Sequence, residues 1–405
     1  MYHARILRHV PTSRRFFPVL PATYDMKIVS VFGTRPETIK MAPVIREIAG
    51  RPDLRHAVCV TGQHREMLDQ ALETFRIVPD HDLRLMSSAG RLGHLAGAAL
   101  SGLTDILALE RPDLVLVQGD TATTLAGALA AFYLAIPVGH IEAGLRTRDL
   151  SQPWPEEGNR KIVSAIARLH FAPTLGNRDN LLREGVPPER IKVTGNTVID
   201  ALYWTRRRLA SAPPWSKPPF QTRPGRKLIL VTTHRRENFS RLTSIWSAMT
   251  SLAARGDCDI VYPLHLNPET APAHGQFAEA SNIKLVHPLD FISFVYLLER
   301  VDLILTDSGG IQEEATALGK PVLLMREVTE RPEAVEAGTV RLVGTEAPHI
   351  LAAANHLLDN AVTLAPMSRP SSVFGDGHAA VRIVDAVEEF GKRGSSLQDS
   401  FTISR

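Results

Sequence analysis

The sequence has few cysteines and no long uninterrupted apolar run. Only Cys59 and Cys258 occur among its 405 residues, each inside an apolar stretch, so we predict two core thiols in a reducing compartment and no disulfide framework. The longest apolar run, Leu125 to Gly139, is shorter than the ~20 residues that a membrane-spanning helix needs and contains Pro137. These absences argue against a disulfide-stabilised secreted protein and against a membrane protein.

A large excess of either charge is also missing. The net charge of +3 arises from residues 1–25, which carry four arginines and one aspartate, so residues 26–405 are neutral overall. Nucleic-acid binding needs a concentrated basic face, and we predict no nucleic-acid partner. Because a strand pattern starts at Met26, we expect translation to begin there, with residues 1–25 as an extension, and a cytoplasmic protein.

Motifs for common cofactors are absent from the sequence. No G-x-G-x-x-G opens a helix after a strand, which disfavours a nicotinamide cofactor. The Gly319-Lys320-Pro321 segment is not a P-loop, because a P-loop has Ser or Thr where Pro321 stands. There is no His-Glu-x-x-His motif and no Cys/His cluster. We therefore predict chemistry without a metal ion or a redox cofactor.

Short apolar runs alternate with helical segments along most of the chain, which predicts βαβ units and parallel sheets. The alternation occupies residues 26–206 and again 227–370, and the Pro-rich segment 207–226 predicts a linker between them. We expect an α/β fold of two Rossmann-like, doubly wound lobes that face a cleft. A C-terminal helix at 371–393 is expected to pack back on the first lobe, followed by a tail at 394–405.

Charged residues stand where such sheets bind ligands, beyond the carboxyl ends of the strands. After the first strand, Thr34 and Glu37 form a capping-box pattern. Arg35 therefore lies at a helix N-terminus that favours an anion, and Lys40 follows on the same helix. An Arg that only solvates the loop is the simpler alternative.

Three carboxylates of the first lobe, Asp120, Glu142 and Glu156, follow strands or lie in a loop. A lone acid at such a place is usually a helix cap or a solvated side chain, and Asp120 could cap a helix that begins near Thr121. Three acids at one sheet edge favour acid/base chemistry instead. Opposite them, the first strand of the second lobe leads to His234, which would bring an imidazole to the cleft.

In the second lobe, a strand leads directly into Ser308-Gly309-Gly310 and a helix. Two glycines at such a turn let backbone amides approach a phosphate closely. Glu314, one turn into the helix, is placed to accept hydrogen bonds from ribose hydroxyls. The pattern predicts a nucleoside diphosphate site, with a plain tight turn as the alternative.

Many motifs occur in one order between Met26 and about Lys392. They include FGTRPETIKMAPV, TGQHREMLDQ, GDTATT, HIEAGLRT, PWPEEGNR, TGNTVIDAL, THRRENF, LTDSGGIQEEA and TERPEAVEAGT. In these motifs the chain resembles the non-hydrolysing UDP-N-acetylglucosamine 2-epimerases of bacteria. The resemblance implies two lobes of the GT-B type, a homodimer, and interconversion of UDP-GlcNAc and UDP-ManNAc without a cofactor or metal.

The resemblance also implies a role for each matched residue. The implied catalytic residues are Asp120, Glu142, Glu156 and His234. The implied substrate-binding residues are Arg35 and Lys40 in the active site, Leu289 and Phe294 at uracil, Ser308, Gly309 and Gly310 at the diphosphate, Glu314 at the ribose, and Arg331. The implied allosteric residues are Gln63 and His64. Two departures are Gln118, where the family commonly has His, and Phe374, where it commonly has Tyr.

The implied mechanism is elimination of UDP to give 2-acetamidoglucal, protonation of C2 from the opposite face, and re-addition of UDP. Direct proton exchange is disfavoured because C1 bears a phosphate ester rather than a carbonyl, which leaves the C2 hydrogen non-acidic. The alternatives are a hydrolysing 2-epimerase that releases ManNAc and UDP, an epimerase of another UDP-2-acetamido sugar, a glycosyltransferase, and a nucleotide-sugar sensor.

Overall fold

Residues 25–62, 65–85, 92–213, 215, 223–233, 236–264 and 270–398 are described by the computed structural model. They form two parallel sheets with helices on both faces. The strands of the first lobe are β1 (Met26–Phe32), β2 (Leu54–Val60), β3 (His81–Asp82), β4 (Leu114–Gln118), β5 (Val138–Ile141), β6 (Leu169–Ala172) and β7 (Ile191–Val193). Those of the second lobe are β8 (Lys227–Thr232), β9 (Cys258–Pro263), β10 (Ile283–Val286), β11 (Leu303–Thr306), β12 (Val322–Leu324) and β13 (Val340–Leu342).

The helices follow the strands in strict alternation over most of the chain. Those of the first lobe are α1 (Arg35–Ala49), α2 (Arg65–Phe75), α3 (Leu92–Glu110), α4 (Ala122–Tyr133), α5 (Glu156–Ile166), α6 (Leu175–Arg183) and α7 (Thr197–Ser211). Those that follow are α8 (Leu242–Ala254), α9 (Ala273–Gln276), α10 (Phe291–Leu298), α11 (Gly309–Leu318), α12 (Pro332–Glu336), α13 (Ala347–Asp359), α14 (Ala361–Met367) and α15 (Ala379–Gln398).

Both sheets are doubly wound. Their strand orders are β3-β2-β1-β4-β5-β6-β7 and β10-β9-β8-β11-β12-β13, so β1 lies between β2 and β4, and β8 lies between β9 and β11. In such sheets the crevice at the order reversal is the usual ligand site. The predicted α/β fold of two parallel-sheet lobes is confirmed.

Alternate residues of each strand enter different cores, as the two-residue period of a strand requires. On β1, Ile28 and Phe32 join the apolar cluster on one face of the sheet, whereas Val29 and Val31 join the cluster on the other face. Since both faces are covered, these strands are continuous apolar runs rather than alternating ones.

Two boundaries differ from the sequence predictions. Helix α7 continues to Ser211, so the linker predicted from residue 207 starts inside a helix; the first proline of that segment is Pro213, and nothing before it stops the helix. The C-terminal helix begins later than predicted, at Ala379, and runs to Gln398. Its residues Ile383 and Val384 are buried in the core of the first lobe.

Among the described residues, one helix, α3, is long and apolar enough to cross a membrane by length and composition alone. It packs along α4 in the first lobe, with Ala99, Leu103 and Leu107 buried. Its remaining residues are exposed or half-buried, and Leu109 is its one exposed large apolar side chain.

Candidate active site

The carboxyl edges of the two sheets meet through side chains that follow the strands. Arg35, which follows β1, reaches the segment after β10, and Glu142, which follows β5, lies near Arg331, which follows β12. These contacts place the candidate site between the lobes, beyond the strand ends of both sheets.

A buried carboxylate, Glu37, shapes the first-lobe side of the site. Its Oε2 accepts hydrogen bonds from the backbone amides of Gly33 (2.9 Å) and Thr34 (2.8 Å), and the predicted capping box is confirmed. Its Oε1 accepts hydrogen bonds from the hydroxyls of Thr121 (2.5 Å) and Thr124 (2.9 Å). One side chain thereby joins the β1–α1 turn to the β4–α4 turn.

Arg35 is the first residue of α1, and its guanidinium crosses to the second lobe. Its Nη2 donates a hydrogen bond to the backbone oxygen of Leu289. Burial lowers the pKa of Arg35, and the nearby carboxyl groups of Asp290 and Glu314 oppose that shift. Three of the predicted substrate-binding residues, Arg35, Leu289 and Glu314, are therefore neighbours.

Glu142 occupies the centre of the site. It is 7% exposed, and its φ of 67° lies in the left-handed region, where strain in non-glycine residues often accompanies function. Its Oε1 accepts hydrogen bonds from Lys40 Nζ (2.5 Å) and Asn196 Nδ2 (3.0 Å). Its Oε2 accepts a hydrogen bond from Gln118 Nε2.

These partners keep Glu142 ionised. Burial alone would raise the pKa of this carboxyl, but the charges of Lys40 and Arg331 and the hydrogen bonds outweigh it and leave the pKa below its ordinary value. Burial alone would lower the pKa of Lys40, but the charges of Glu142 and Glu313 outweigh that effect and leave the pKa above its ordinary value. The pair is a buried ammonium and carboxylate.

Asp120 is held by a different cation. Its Oδ2 accepts hydrogen bonds from Arg160 Nε (2.8 Å) and lies 2.7 Å from Arg160 Nη2. Its backbone oxygen accepts a hydrogen bond from Asn159 Nδ2 (2.8 Å). The alternative that Asp120 caps a helix is wrong, because Thr121 is the N-cap residue of α4. Glu156 is the first residue of α5, the helix that also carries Arg160.

The second-lobe side of the site is the N-terminus of α11. Ser308 is the N-cap residue, and Gly309 and Gly310 are the first helical residues. A Cβ on Gly309 would lie 2.5 Å from Arg331 Nη1, whereas a Cβ on Gly310 would enter open space. The amides of this turn can therefore be approached closely by an anion at Gly310, while Gly309 is fixed by packing.

Glu314 and Arg331 lie behind this helix end. Burial and the charge of Glu313 raise the pKa of Glu314 to about 8. The Arg331 guanidinium is buried, with Nε 2.5 Å from Glu313 Oε1, Nη1 3.0 Å from Glu330 Oε1 and Nη2 3.6 Å from Glu142 Oε1. Phe294 lies on α10, half-buried against the apolar core of the second lobe.

Three of the predicted site residues, Gln63, His64 and His234, lie outside the described residues. Conversely, the site contains four polar residues that the sequence analysis did not predict to be site residues: Glu37, Gln118, Asn196 and Glu313. Asn196 lies within the TGNTVIDAL motif and Glu313 within LTDSGGIQEEA, so both were visible as motif members, but no local pattern indicated that they meet.

Comparison with known proteins gives one consistent result. A family model described as UDP-N-acetylglucosamine 2-epimerase matches residues 46–388. The UDP-N-acetylglucosamine 2-epimerase of Salmonella typhimurium is 50% identical over 372 residues, which are 90% of this chain and 99% of the relative.

Solved structures agree with that result. The UDP-GlcNAc 2-epimerase from Neisseria meningitidis bound to UDP-GlcNAc has a TM-score of 0.87 and 45% identity, covering 90% of this chain and 100% of that one. The UDP-GlcNAc 2-epimerase from Methanocaldococcus jannaschii in complex with UDP-GlcNAc and UDP has a TM-score of 0.78 and 34% identity, with the same coverage.

Proposed function

The chain belongs to the UDP-N-acetylglucosamine 2-epimerase family, and we propose that it is the non-hydrolysing member that interconverts UDP-GlcNAc and UDP-ManNAc. The observation that carries the proposal is the ionised Glu142, which is paired with Lys40. The side chain of Asn196 links Glu142 to Glu313, on the helix that begins at Gly309. An ionised carboxylate is thus connected to the helix whose N-terminus is suited to a diphosphate, and carboxylates of this kind serve as acid/base groups.

The proposed reaction has two balanced halves. The C1–O bond breaks and UDP leaves with the electron pair, while a base takes the proton from C2, which gives 2-acetamidoglucal. A proton then returns to C2 on the opposite face and UDP adds again to C1. The two faces need two acid/base groups, for which the candidates are Asp120, Glu142 and Glu156.

Departure of UDP needs stabilisation of the charge that develops on its diphosphate. We propose that the amides of Ser308, Gly309 and Gly310 supply it together with Arg35 and His234. In the same proposal, Leu289 and Phe294 hold uracil, Glu314 the ribose, Arg331 the nucleotide, and Gln63 and His64 a second, activating UDP-GlcNAc.

The experiment that tests this function is incubation of the purified protein with UDP-GlcNAc in D2O, followed by proton NMR of the anomeric and H2 signals. We expect a UDP-ManNAc signal that rises to a plateau, with deuterium at C2. Free ManNAc and UDP would assign the protein to hydrolysing epimerases instead. No change in UDP-GlcNAc, with turnover of another UDP-2-acetamido sugar, would correct the substrate.

We also propose a homodimer formed through exposed apolar side chains at one side of α3, α4 and α5. Large apolar side chains are exposed on three adjacent helices, with Leu109 on α3 75% exposed, Tyr133 at the end of α4 66% and Ile162 on α5 45%. Exposed apolar surface of this kind marks interaction sites. Sedimentation should give twice the chain mass, and Leu109→Glu with Tyr133→Glu should give monomers; a wild-type monomer would refute the proposal.

A cytoplasmic location is the remaining part of the proposal. Within the described residues, both cysteines are buried and free, and burial raises the pKa of Cys59 to about 12. Two unoxidised core thiols are compatible with a reducing compartment.

A further inference from the structure

The side chain of Asn196 joins carboxylates from the two lobes. Its Nδ2 donates hydrogen bonds to Glu142 Oε1 (3.0 Å) and to Glu313 Oε2 (2.7 Å). Its Oδ1 accepts a hydrogen bond from the Val198 amide (3.1 Å) as the N-cap of α7. With only 2% of its surface exposed, the amide is fixed on both sides by buried partners.

Asn196 stands where two connections between the lobes touch. Its own segment leads from β7 into α7 and on to the second lobe, and the segment between α14 and α15 returns to the first lobe. The backbone N–H of Asn196 donates a hydrogen bond to the backbone oxygen of Phe374 (2.6 Å). A Cβ on Gly195 would lie 3.0 Å from Gly375 Cα, so the two connections are in close backbone contact.

The hydrogen bonds from Asn196 to Glu142 and Glu313 form a bridge that ends on α11, because Glu313 lies on that helix. The first residues of α11 form the proposed diphosphate site, and the other end of the bridge is the ionised Glu142. Arg331 makes a parallel bridge, 2.5 Å from Glu313 and 3.6 Å from Glu142, but its contact with Glu142 is the longer one.

We propose that Asn196 is a positioning residue that fixes the carboxylate of Glu142 relative to the diphosphate-binding helix α11. This inference rests on the proposed function and adds a residue to it that touches neither the sugar nor the nucleotide. Reaction at C2 and departure of the diphosphate from C1 involve adjacent carbons, so the base and the diphosphate site must keep one spacing. A misplacement of about 1 Å can reduce turnover about 10²-fold.

The test uses two variants that keep the helix cap. In Asn196→Ser a good N-cap residue remains, but its single short hydroxyl cannot reach both carboxylates. In Asn196→Asp the shape remains, but an acceptor replaces the donor. The matched control is Asn360→Ser, because Asn360 caps α14 by accepting hydrogen bonds from the amides of Val362 and Thr363.

For Asn196→Ser we expect kcat to fall about 10²-fold, with KM and the Kd for UDP within about threefold of wild type. Asn360→Ser should keep the wild-type kcat. Titration with UDP also shows that each variant is folded.

Asn196→Asp adds a readout that a purely structural role would not change. The charged groups around Glu142 are Lys40, Arg331 and Glu313. The buried His140 also faces it, and burial lowers the pKa of this imidazole to about 4. A further carboxylate there disfavours the ionised Glu142, so the acid limb of the kcat–pH profile should move up by about one unit.

If the wild-type protein is active and both Asn196 variants have the same kcat and pH profile as the wild type, the inference is overturned and the proposed function stands. A loss of UDP affinity equal to the loss of kcat would also overturn it, because Asn196 would then support binding in general. If the wild-type protein itself does not epimerise UDP-GlcNAc, the proposed function fails, independently of any variant.

Discussion

Glu142 and Glu314 are both buried carboxyl groups at the junction of the two lobes, yet their pKa values move in opposite directions. Burial raises the pKa of each group. At Glu142, Lys40 and Arg331 reverse the effect. At Glu314, the neighbouring Glu313 adds to it, Lys40 and Arg35 only partly offset it, and the pKa rises to about 8.

The difference shows that the partners of a carboxyl group, rather than its burial, set its charge here. At neutral pH the first-lobe edge holds an ionised carboxylate. The second-lobe edge holds a protonated carboxyl beside a glycine-rich helix N-terminus, an environment suited to binding a ligand. The two edges of one site therefore hold buried carboxyl groups whose pKa values are shifted in opposite directions.

The largest effect is expected from removing the charge at the first-lobe edge. Glu142→Gln should reduce kcat at least about 10²-fold, the usual scale for an acid/base group, with a much smaller change in KM. Glu184→Gln is the control, since Glu184 is also part of an ion pair, with Arg146 (2.7 Å), but outside the site. The measurement is steady-state kinetics. A Glu142→Gln kcat near the wild-type value would show that the ionised carboxylate of the first-lobe edge is not needed for turnover.

A smaller effect is expected from filling the second-lobe edge. Gly309→Ala puts a methyl group 2.5 Å from Arg331 Nη1, and such overpacking costs about 1–3 kcal/mol of stability. Displacement of Arg331 should also weaken UDP binding about tenfold. Gly310→Ala has open space around its Cβ and should keep the wild-type stability in urea unfolding. Equal stability of the two variants would contradict this account of the helix end.

The raised pKa of Glu314 predicts a pH dependence of stability. The unfolded chain loses this proton near pH ~4.3, and the folded protein near pH 8. The folded state therefore binds more protons in between, so this contribution to stability is complete at low pH and is lost as pH rises towards 8. Glu314→Gln should give a flatter stability curve from pH 5 to 8 in urea unfolding. Glu346→Gln, at an exposed ion pair, should not flatten it.

The smallest effect is expected at Gln118, which donates a hydrogen bond to Glu142. Gln118→His should stay close to wild-type activity, because an imidazole N–H can replace the amide donor. Gln118→Leu should lose about tenfold in kcat, since a buried acceptor left without a donor costs about 1–3 kcal/mol. If the histidine variant were as slow as the leucine variant, the donor would not be what Glu142 requires.

Much of this organisation could be predicted from local sequence. The strand and helix alternation follows from residue periodicity, and the doubly wound lobes are confirmed. The capping box of Thr34 and Glu37 is confirmed, and it places Arg35 at the start of α1 because capping depends on residues only three positions apart. The resemblance to UDP-N-acetylglucosamine 2-epimerases is confirmed by the family match.

The partners of the site residues could not be predicted in this way. Asn196 is 54 residues from Glu142 and 117 from Glu313, and their contact depends on how the lobes are placed against each other. The same holds for the hydrogen bond between Arg35 and Leu289, 254 residues apart. The interpretation of Asp120 as a helix cap is wrong because Thr121 caps α4, and the partner that Asp120 has instead, Arg160, is 40 residues away.

The return of the chain to the first lobe has a mechanical consequence. Two connections side by side define an axis, whereas a single connection would define only a pivot point. Any rotation of one lobe against the other would then be confined to that axis, and groups next to the axis would move least. The two connections approach each other at Gly195 and Gly375, so the backbone beside Asn196 would keep its place while the outer parts of the lobes moved.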